Sequence, residues 1–526
     1  MPKEAINPVE ANAAERLLAQ LAASIGEGGY DAAFKLLYPR RTSAECRERY
    51  LGLIDLFKEL YIDGAKARSP GGSEPGADKG GSGVGKPGAG EPFAGEPGAV
   101  ERGSAAKEPA SVEGGSGAGA GERRIALISA PGRTEICGNH TDHQHGNVLA
   151  AAIDLDVICL AAKNNKNFIR VKSVGHSEIC VDINVTAPQP EERGNAASLI
   201  RGLAAWFTER GVKIGGFDAY TTSQVLVGSG LSSSAAFEVV IGTAMNALFG
   251  GGVSPLDIAV AGQFAENRYF GKPSGLMDQT ASSVGGFVRI DFADPQKPIV
   301  EPIQYDLSAN GLRLCVVNTK GTHADLIGEY ASIPEEMRAV AAYFGKKWLR
   351  DVEESDFYKN LPNVRAALHE INADAPQDTV DAESSLNKTP VAADRAILRA
   401  MHFFNENRLV SEAAAALRAA DAETFLDCLI RSGRSSFTYL QNIFAVTQPG
   451  DQGLSIALAL SEMILRGNGG AWRVTGGGFA GTIMALVPEA LHEKYKSALE
   501  AAFGEGSCLT LSIRKYGGTE VKPDIQ

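Results

Sequence analysis

The sequence predicts an α+β fold in two lobes, preceded by a helical segment and interrupted by a disordered insertion rich in glycine. Strand-like and helix-like segments interleave after Arg124 without a regular βαβ period, whereas a doubly wound parallel sheet requires such a period. From about residue 333 to residue 465 the chain is mostly helical, with few strand signals. The 526 residues allow about two or three domains and a sizeable core.

The first part of the chain changes composition abruptly. Residues 12–62 place apolar side chains at a spacing of three to four residues, which predicts an N-terminal helical segment over 1–63. Residues 64–121 consist mainly of Gly, Ala, Ser, Pro, Glu and Lys. Such a segment buries too little apolar area to offset the entropy of ordering, so it is predicted to be a disordered linker. The N-terminal lobe is then predicted over 122–310 and the C-terminal lobe over 311–526.

Beyond residue 122, strands and helices follow in sequence. Alternation of apolar and polar residues, or enrichment in β-branched residues, indicates strands, and apolar residues at helical spacing indicate helices. Strands are predicted at 124–133, 168–174, 178–185, 216–226, 285–292 and 312–319, and residues 146–164 are rich in small and β-branched residues. Helices are predicted at 198–211 and 232–249. Near the end, a strand from Trp472 leads into a glycine turn and then a further strand or helix.

Charge and cysteine usage exclude several classes of protein. The net charge is −12 and no run of Lys or Arg is long enough to follow a phosphate backbone, so nucleic acid is not expected as a partner. The seven cysteines form no CxxC pair, which is typical of a reducing cytoplasm and argues against a disulfide framework. There is neither an apolar signal core at the N-terminus nor a run of 18 apolar residues, so a cytoplasmic protein without membrane spans is expected. The sequence gives no sign of an obligate protein partner.

A dense polar segment follows the first predicted strand of the lobes. It is Pro131–Gly146, PGRTEICGNHTDHQHG. Asp accepts hydrogen bonds from hydroxyl groups, His and Asn both donate and accept, and Arg supplies a fixed charge, so the segment suits a loop that binds a polyhydroxylated ligand. A metal site built from His140, Asp142 and either His143 or His145 is an alternative, and a plain polar turn is another.

A second segment, VGSGLSSSAA at Val227–Ala236, precedes a predicted helix. Its glycines allow close approach of the backbone, and the helix N-terminus points several amide groups at one place, which predicts a phosphate-binding loop. No GK[ST] follows, so the loop is not of the Walker type. A glycine-rich turn capped by serine is the structural alternative. The predicted phosphate contacts are Gly228, Ser229, Gly230, Leu231, Ser232, Ser233, Ser234 and Ala235.

A third segment, TGGGFAG at Thr475–Gly481, lies between two apolar runs. Three consecutive glycines cost backbone entropy, and close approach to a ligand or to another loop is one reason for them, a tight hairpin being the other. Asp278 lies between the second and third segments in a polar stretch. A metal-dependent hydrolase would use the first segment alone, whereas a kinase employs all three, and we therefore favour a kinase.

In this order, the three segments resemble those of the GHMP kinase superfamily. The pattern GRxxxxGNHTDxxHG resembles the galactokinase branch in particular, and the similarity covers about residues 122–526. The resemblance implies two α+β lobes with the active site between them, and transfer of a phosphoryl group from ATP, with Mg²⁺, to the anomeric hydroxyl of a monosaccharide, galactose being favoured.

The resemblance also implies roles for individual residues. Asp278 matches the catalytic base, and Arg133 matches the arginine that keeps this base ionised and stabilises the transferring phosphoryl group. Ser234 and Glu266 match the residues that hold Mg²⁺. Gly476–Gly478 match a motif that supports the phosphate loop and the sugar pocket. The implied sugar-binding residues are Arg133, Asn139, His140, Asp142, Gly275, Asp278 and Tyr330.

The chain departs from the galactokinase pattern at several positions. Asn139 stands where Glu is usual and Glu135 where Asn is usual, so that the pair is exchanged; His143 replaces Tyr, and Leu226 replaces Pro. The exchange makes the same chemistry on another sugar, such as N-acetylgalactosamine or another hexose, the alternative function. A non-catalytic galactose sensor is a further alternative, which the presence of Arg133 and Asp278 disfavours.

Overall fold

The computed structural model describes residues 8–64, 124–226, 230–272, 274–295, 297–321, 326–373 and 392–524. The linker predicted over 64–121 lies outside the described residues, apart from Gly64. In the described part, the helices are α1 Pro8–Gly26, α2 Asp31–Leu37, α3 Ser43–Lys58, α4 Ala196–Glu209, α5 Ser233–Phe249, α6 Pro255–Ala265, α7 Met277–Val284, α8 Ile327–Tyr343, α9 Glu354–Lys359, α10 Leu361–Ala373, α11 Ala393–Arg418, α12 Ala422–Ser435, α13 Gly453–Leu465 and α14 His492–Phe503.

Twelve strands in the described residues form two sheets. The larger sheet has eight strands in the order β12-β1-β2-β5-β3-β4, with β6 pairing to β2 and to β7, and the smaller sheet has the order β11-β8-β10-β9. The strands are β1 Ile125–Cys137, β2 Asn147–Lys163, β3 Phe168–Ser173, β4 Ile179–Asp182, β5 Phe217–Ser223, β6 Phe287–Asp291, β7 Ile299–Ile303, β8 Leu312–Asn318, β9 Ala471–Thr475, β10 Thr482–Pro488, β11 Cys508–Leu511 and β12 Thr519–Glu520.

Both faces of the large sheet are covered where β1 and β2 pair. Ile128 and Cys159 lie in the main core with helices α4 to α6, whereas their neighbours Leu127 and Ile158 pack against the N-terminal helices. Successive side chains of a strand point to opposite faces, so a strand covered on both sides needs apolar residues at consecutive positions. This accounts for the unbroken apolar runs of both strands.

The N-terminal helices are held to the sheet by a buried charged cluster centred on Asp156, which we call the Asp156 cluster. Arg49 of α3 donates to Asp156 Oδ1 at 2.6 Å, and Tyr38, which follows α2, donates to Oδ2 at 2.5 Å. Arg514, near the C-terminus, donates to the same oxygen at 3.0 Å, and Ser129 of β1 donates to it as well. The Asp156 cluster therefore joins the N-terminal helices, the first two strands and the C-terminal segment.

The predicted α+β class is confirmed, as is the helical character of the N-terminal residues, which form α1 to α3 and a following π-helical turn at Glu59–Asp63. Among the strand pairs of the described residues, only β3 and β5 run parallel, which excludes a doubly wound sheet. The smaller sheet contains strands from beyond residue 311 only, but β12 returns to the larger sheet. The boundary between the lobes at 310/311 stays a prediction.

No helix in the described ranges has the length and hydrophobicity of a membrane span.

Candidate active site

The first and third motifs form the tips of two hairpins that meet. The dense polar segment runs from the end of β1 through the loop to β2, and the turn between β9 and β10 carries the three glycines. Asn139 Nδ2 donates to Gly476 O at 2.7 Å, and His140 Nε2 lies 2.9 Å from Gly477 O. The triglycine segment therefore allows close approach to the polar loop, rather than only a tight turn.

Arg133 and Asp278 form the central ion pair of the site. Arg133 lies at a β-bulge of β1, where the pairing register to β2 shifts after Pro131, and such a bulge re-aims a side chain. Its Nε and Nη2 atoms donate to Oδ1 and Oδ2 of Asp278, each at 2.7 Å. Asp278 stands in the first turn of α7 and also accepts a hydrogen bond from Ser232. A forked arginine contact fixes both the orientation and the charge of the carboxylate.

The electrostatic surroundings keep Asp278 ionised. Its side chain is 32% exposed. Burial raises the pKa of the carboxyl group, but the charge of Arg133 and the hydrogen bonds from Arg133 and Ser232 outweigh it, so the pKa lies below the usual 3.8. Each carboxylate oxygen offers about two acceptor positions. Arg133 and Ser232 fill only part of this capacity, and the partly exposed carboxylate lines the cavity.

The second motif places a helix N-terminus beside this ion pair. Helix α5 begins at Ser233, directly after Ser232, which adopts a left-handed backbone with φ 58° and ψ 58°. Gly230 carries the carbonyl that accepts from Arg133 Nη1 at 2.5 Å, and its Cα lies close to Gly476 of the glycine turn. The predicted contacts Gly228 and Ser229 lie outside the described residues. The first amide groups of α5 have no partner within the helix and are available to an anion.

One cavity of about 350 Å³ brings the described parts of the three motifs together. Its lining includes the ion pair, the polar loop, the start of α5 and the glycine turn. The lining residues are Arg133, Glu135, Asn139, His140, Asp142, His143, Ser234, Glu266, Lys272, Ser274, Gly275, Met277, Asp278, Gln279, Gly476 and Gly477.

One side of the cavity carries oxygen ligands that suit a hard divalent cation. The exposed Ser234 and the buried Glu266 both line it. Gln279 Nε2 donates to Glu266 Oε2 at 2.8 Å and to Glu238 Oε2 at 3.0 Å, and Lys272 Nζ lies 3.6 Å from Glu266 Oε1. Hydroxyl and carboxylate oxygens are the ligands that Mg²⁺ prefers. Glu266 lines the cavity whereas Glu238 does not, and burial, followed by the nearby Glu266, raises the pKa of Glu238 well above its usual value.

The polar loop does not assemble a site from its histidines. His140 contacts the glycine turn, the ring of His145 packs at 4.3 Å on that of Trp348, and His143 lies 3.9 Å from Asp142. Among the described residues, no group of three or more His, Cys, Asp or Glu side chains is arranged to hold a metal ion. The hydrolase interpretation therefore has no support in the geometry.

Most of the predicted sugar-binding residues line the cavity, but two have other partners. Both polar atoms of the Asn139 amide have protein partners: its Nδ2 donates to Glu135 and Gly476, and its Oδ1 accepts from Asn442 Nδ2 at 2.7 Å. Tyr330 lies behind the glycine turn, where its hydroxyl donates to the Gly478 carbonyl at 2.8 Å, and it is not part of the lining. Their roles as sugar contacts stay predictions.

Sequence reasoning missed several lining residues and their supports. Lys272 and Gln279 lie in the same polar stretch as Asp278, and only proximity to that aspartate could have indicated them. Glu238 faces Gln279 from within α5, where a single buried Glu in an apolar helix is the available signal. Asn442, which holds the glycine turn, and His402, which lies 2.9 Å from the Asn139 carbonyl, have no local motif.

Replacing Gly478 by Ala is expected to destabilise the protein by about 2–5 kcal/mol and to lower activity. Gly478 has φ +81°, and a Cβ there would overlap the backbone carbonyl of Asn442. Urea unfolding and kinetics measure both effects. Gly250→Ala is the matched control, since φ is +71° with open space around its Cβ position. Gly250→Ala should lower the free energy of unfolding by only about 1 kcal/mol and leave KM for both substrates unchanged. Equal losses of stability in the two variants would contradict the steric explanation.

Comparisons with known proteins agree with this geometry. A family profile described as "Galactokinase galactose-binding signature" matches residues 119–163, and one described as "GHMP kinases N terminal domain" matches residues 198–286. The chain is 32% identical over 363 residues to a galactokinase of Glaesserella parasuis serovar 5, an alignment that covers 69% of this chain and 85% of the relative. It is 30% identical over 375 residues to a galactokinase of Streptomyces coelicolor, which covers 71% and 88% of the two chains.

Solved structures show the same fold. The crystal structure of Lactococcus lactis galactokinase complexed with galactose has a TM-score of 0.58 at 22% identity, and the match covers 75% of this chain and 95% of that chain. A mevalonate kinase structure has a TM-score of 0.50 at 13% identity and covers 74% and 98%. These structures share the fold, and the identity to the curated relatives together with the two family profiles shows that the chain belongs to the galactokinase family of the GHMP kinases.

Proposed function

We propose that this protein transfers the γ-phosphoryl group of ATP to the anomeric hydroxyl of galactose, giving galactose 1-phosphate and ADP. The Arg133–Asp278 ion pair carries the proposal, because it lies in one cavity with the polar loop and the start of α5. Membership of the galactokinase family and the similarity to galactokinases over most of their length support it.

Asp278 is the base in the proposed reaction. Its carboxylate takes the proton of the attacking hydroxyl as the bond from the sugar oxygen to the γ-phosphorus forms. The bond from that phosphorus to the bridging oxygen of ADP breaks at the same time. Arg133 holds Asp278 in place and offsets negative charge on the transferring group, which is most of what phosphoryl transfer requires of a protein.

ATP is bound in this proposal at the N-terminus of α5. The amide groups of Ser233, Ser234 and Ala235 lie at the positive end of the helix dipole and suit the phosphates. Kinases of this family use ATP with a divalent metal, and we assign Mg²⁺ to Ser234 and Glu266. When bound, the ion neutralises phosphate charge. The location in the cytoplasm and the absence of an obligate protein partner stay predictions from the sequence.

The exchanged pair Glu135 and Asn139 favours one second candidate, the same chemistry on another hexose. Both residues line the cavity, so the exchange alters the hydrogen-bonding groups that a sugar meets.

A substrate panel tests the proposal. Purified protein with ATP and Mg²⁺ should release ADP with galactose, and phosphorus NMR should show a phosphate on C1 of the product. N-Acetylgalactosamine and glucose are assayed separately as alternative substrates. Turnover of another hexose without turnover of galactose would replace the sugar but keep the chemistry. Absence of ADP release with every sugar, from folded protein, would overturn the kinase proposal and favour a sensor.

A further inference from the structure

Glu135 is a buried carboxylate in the cavity wall that receives few hydrogen bonds. It is 3% exposed, yet it is one of the residues that line the cavity. Asn139 Nδ2 lies 3.1 Å from Oε1 and 3.0 Å from Oε2 of Glu135. The same nitrogen donates to Gly476 O at 2.7 Å, so its two hydrogens serve three acceptors. Glu135 therefore receives about one hydrogen bond, although a carboxylate offers about four acceptor positions.

The neighbouring arginines do not use the remaining capacity of Glu135. Arg133 is committed to Asp278 and to Gly230, and Arg473 donates to the carbonyls of Ile136 and Val474. Among the ion pairs of the described residues, none joins either arginine to Glu135. A buried carboxylate whose acceptor positions are mostly unfilled costs free energy, and a ligand that donates a hydrogen bond to it lowers this cost.

We infer that Glu135 is a specificity-determining residue that accepts a hydrogen bond from a ring hydroxyl of the sugar, and that Asn139 is a positioning residue that holds Glu135 against the glycine turn. The inference rests on the proposed function and assigns the two side chains opposite tasks. Asn139 keeps no donor hydrogen for a ligand, because its Nδ2 serves Glu135 and Gly476, and its Oδ1 already accepts from Asn442. The carboxylate usual at position 139 of the family is thus supplied in this chain from position 135, four residues earlier, near the end of β1.

The protonation behaviour of Glu135 is consistent with an unmet acceptor. Burial raises the pKa of Glu135 to about 7, and this rise outweighs the charges of Arg473 and Arg133 and the hydrogen bond from Asn139. A hydroxyl donor stabilises the ionised form and lowers that pKa again.

Kinetics of three variants test the inference. Glu135→Gln keeps the shape but removes the charge, and it should raise KM for galactose about 10- to 100-fold, with kcat and KM for ATP within about threefold of the wild type. Asn139→Glu alone should also raise KM, because two carboxylates then face each other in a buried site. The reciprocal double variant, Glu135→Asn with Asn139→Glu, should restore KM to within about fivefold, a coupling that independent sites do not show.

A matched control separates binding from folding. Glu336→Gln alters another buried glutamate, one that pairs with Arg395 and Arg399 away from the cavity, and it should leave KM unchanged whatever it does to stability. An unchanged KM in Glu135→Gln, or a double variant no better than its singles, overturns the inference. Should the double variant fail to fold, calorimetric titration of Glu135→Gln with galactose decides, and wild-type affinity overturns it. Wild-type protein that phosphorylates no hexose overturns the proposed function instead.

Discussion

Asp278→Asn is expected to lower kcat by about 10²- to 10⁴-fold, with KM for galactose and for ATP changed little. The amide keeps the shape of the side chain but cannot take the proton of the attacking hydroxyl. It also removes the charge that Arg133 pairs with, so the forked contact of two 2.7 Å hydrogen bonds is weakened. Steady-state kinetics by ADP release, with binding of both substrates measured by calorimetry, gives the three quantities.

The chain offers a close control for this substitution. Asp218 of β5 also accepts a forked contact from an arginine, Arg170, with two hydrogen bonds of 2.7 Å, but it does not line the cavity. Asp218→Asn should reduce stability and leave kcat within about twofold of the wild type. A kcat for Asp278→Asn within about tenfold of the wild type would exclude Asp278 as the base.

Asp156→Ala is expected to lower the free energy of unfolding by about 3–5 kcal/mol. The variant leaves two cations of the Asp156 cluster without their anion. The side chain of Arg514 is fully buried, and that of Arg49 is 12% exposed. Urea unfolding followed by circular dichroism measures the loss. The exposed Asp394, which pairs with Arg365 and His369, provides the control, and Asp394→Ala should change the midpoint only slightly.

The Asp156 cluster also predicts how stability depends on pH. Burial raises the pKa of Asp156, but the charges of Arg49 and Arg514 and the hydrogen bonds from Ser129 and Tyr38 lower it to about 2, below the usual 3.8. The unfolded chain therefore binds a proton before the folded protein does. The stabilisation is complete above about pH 4 and is lost as the pH falls toward about 2. The wild type should lose its advantage over Asp156→Ala in that window, and a constant difference between them would contradict the assignment.

Motifs that act through the backbone could be predicted from the sequence. Each of the two glycine motifs alone also fits a simple turn, but their combination in one chain favours a ligand site, and α5 and the β9–β10 turn lie where the sequence indicates. The importance of Asp278 could not be read locally, because it depends on Arg133, 145 residues earlier. The family resemblance supplied that pairing, and the geometry agrees with it.

The different roles inferred for Glu135 and Asn139 could not be predicted from their residue types. Both are polar, both follow an apolar strand, and either could contact a ligand. The difference arises from Asn442, some 300 residues away, which occupies the amide oxygen of Asn139. The same limit applies to the strands: the apolar runs of β1 and β2 predict burial, but only the docked N-terminal helices explain why both faces are buried.

The return of β12 to the first strand has a consequence for synthesis of the protein. Ile128 and Ser129 pair with Glu520 and Thr519, so the strand that carries Arg133 gains its outer neighbour from a strand that is synthesised after all the other described strands. Arg514 reaches the Asp156 cluster equally late. Contacts between such distant parts of a chain form slowly, because a long loop must first close. The outer edge of β1 therefore stays unpaired until β12 has been synthesised, and an unpaired strand edge is a place where wrong pairing can begin.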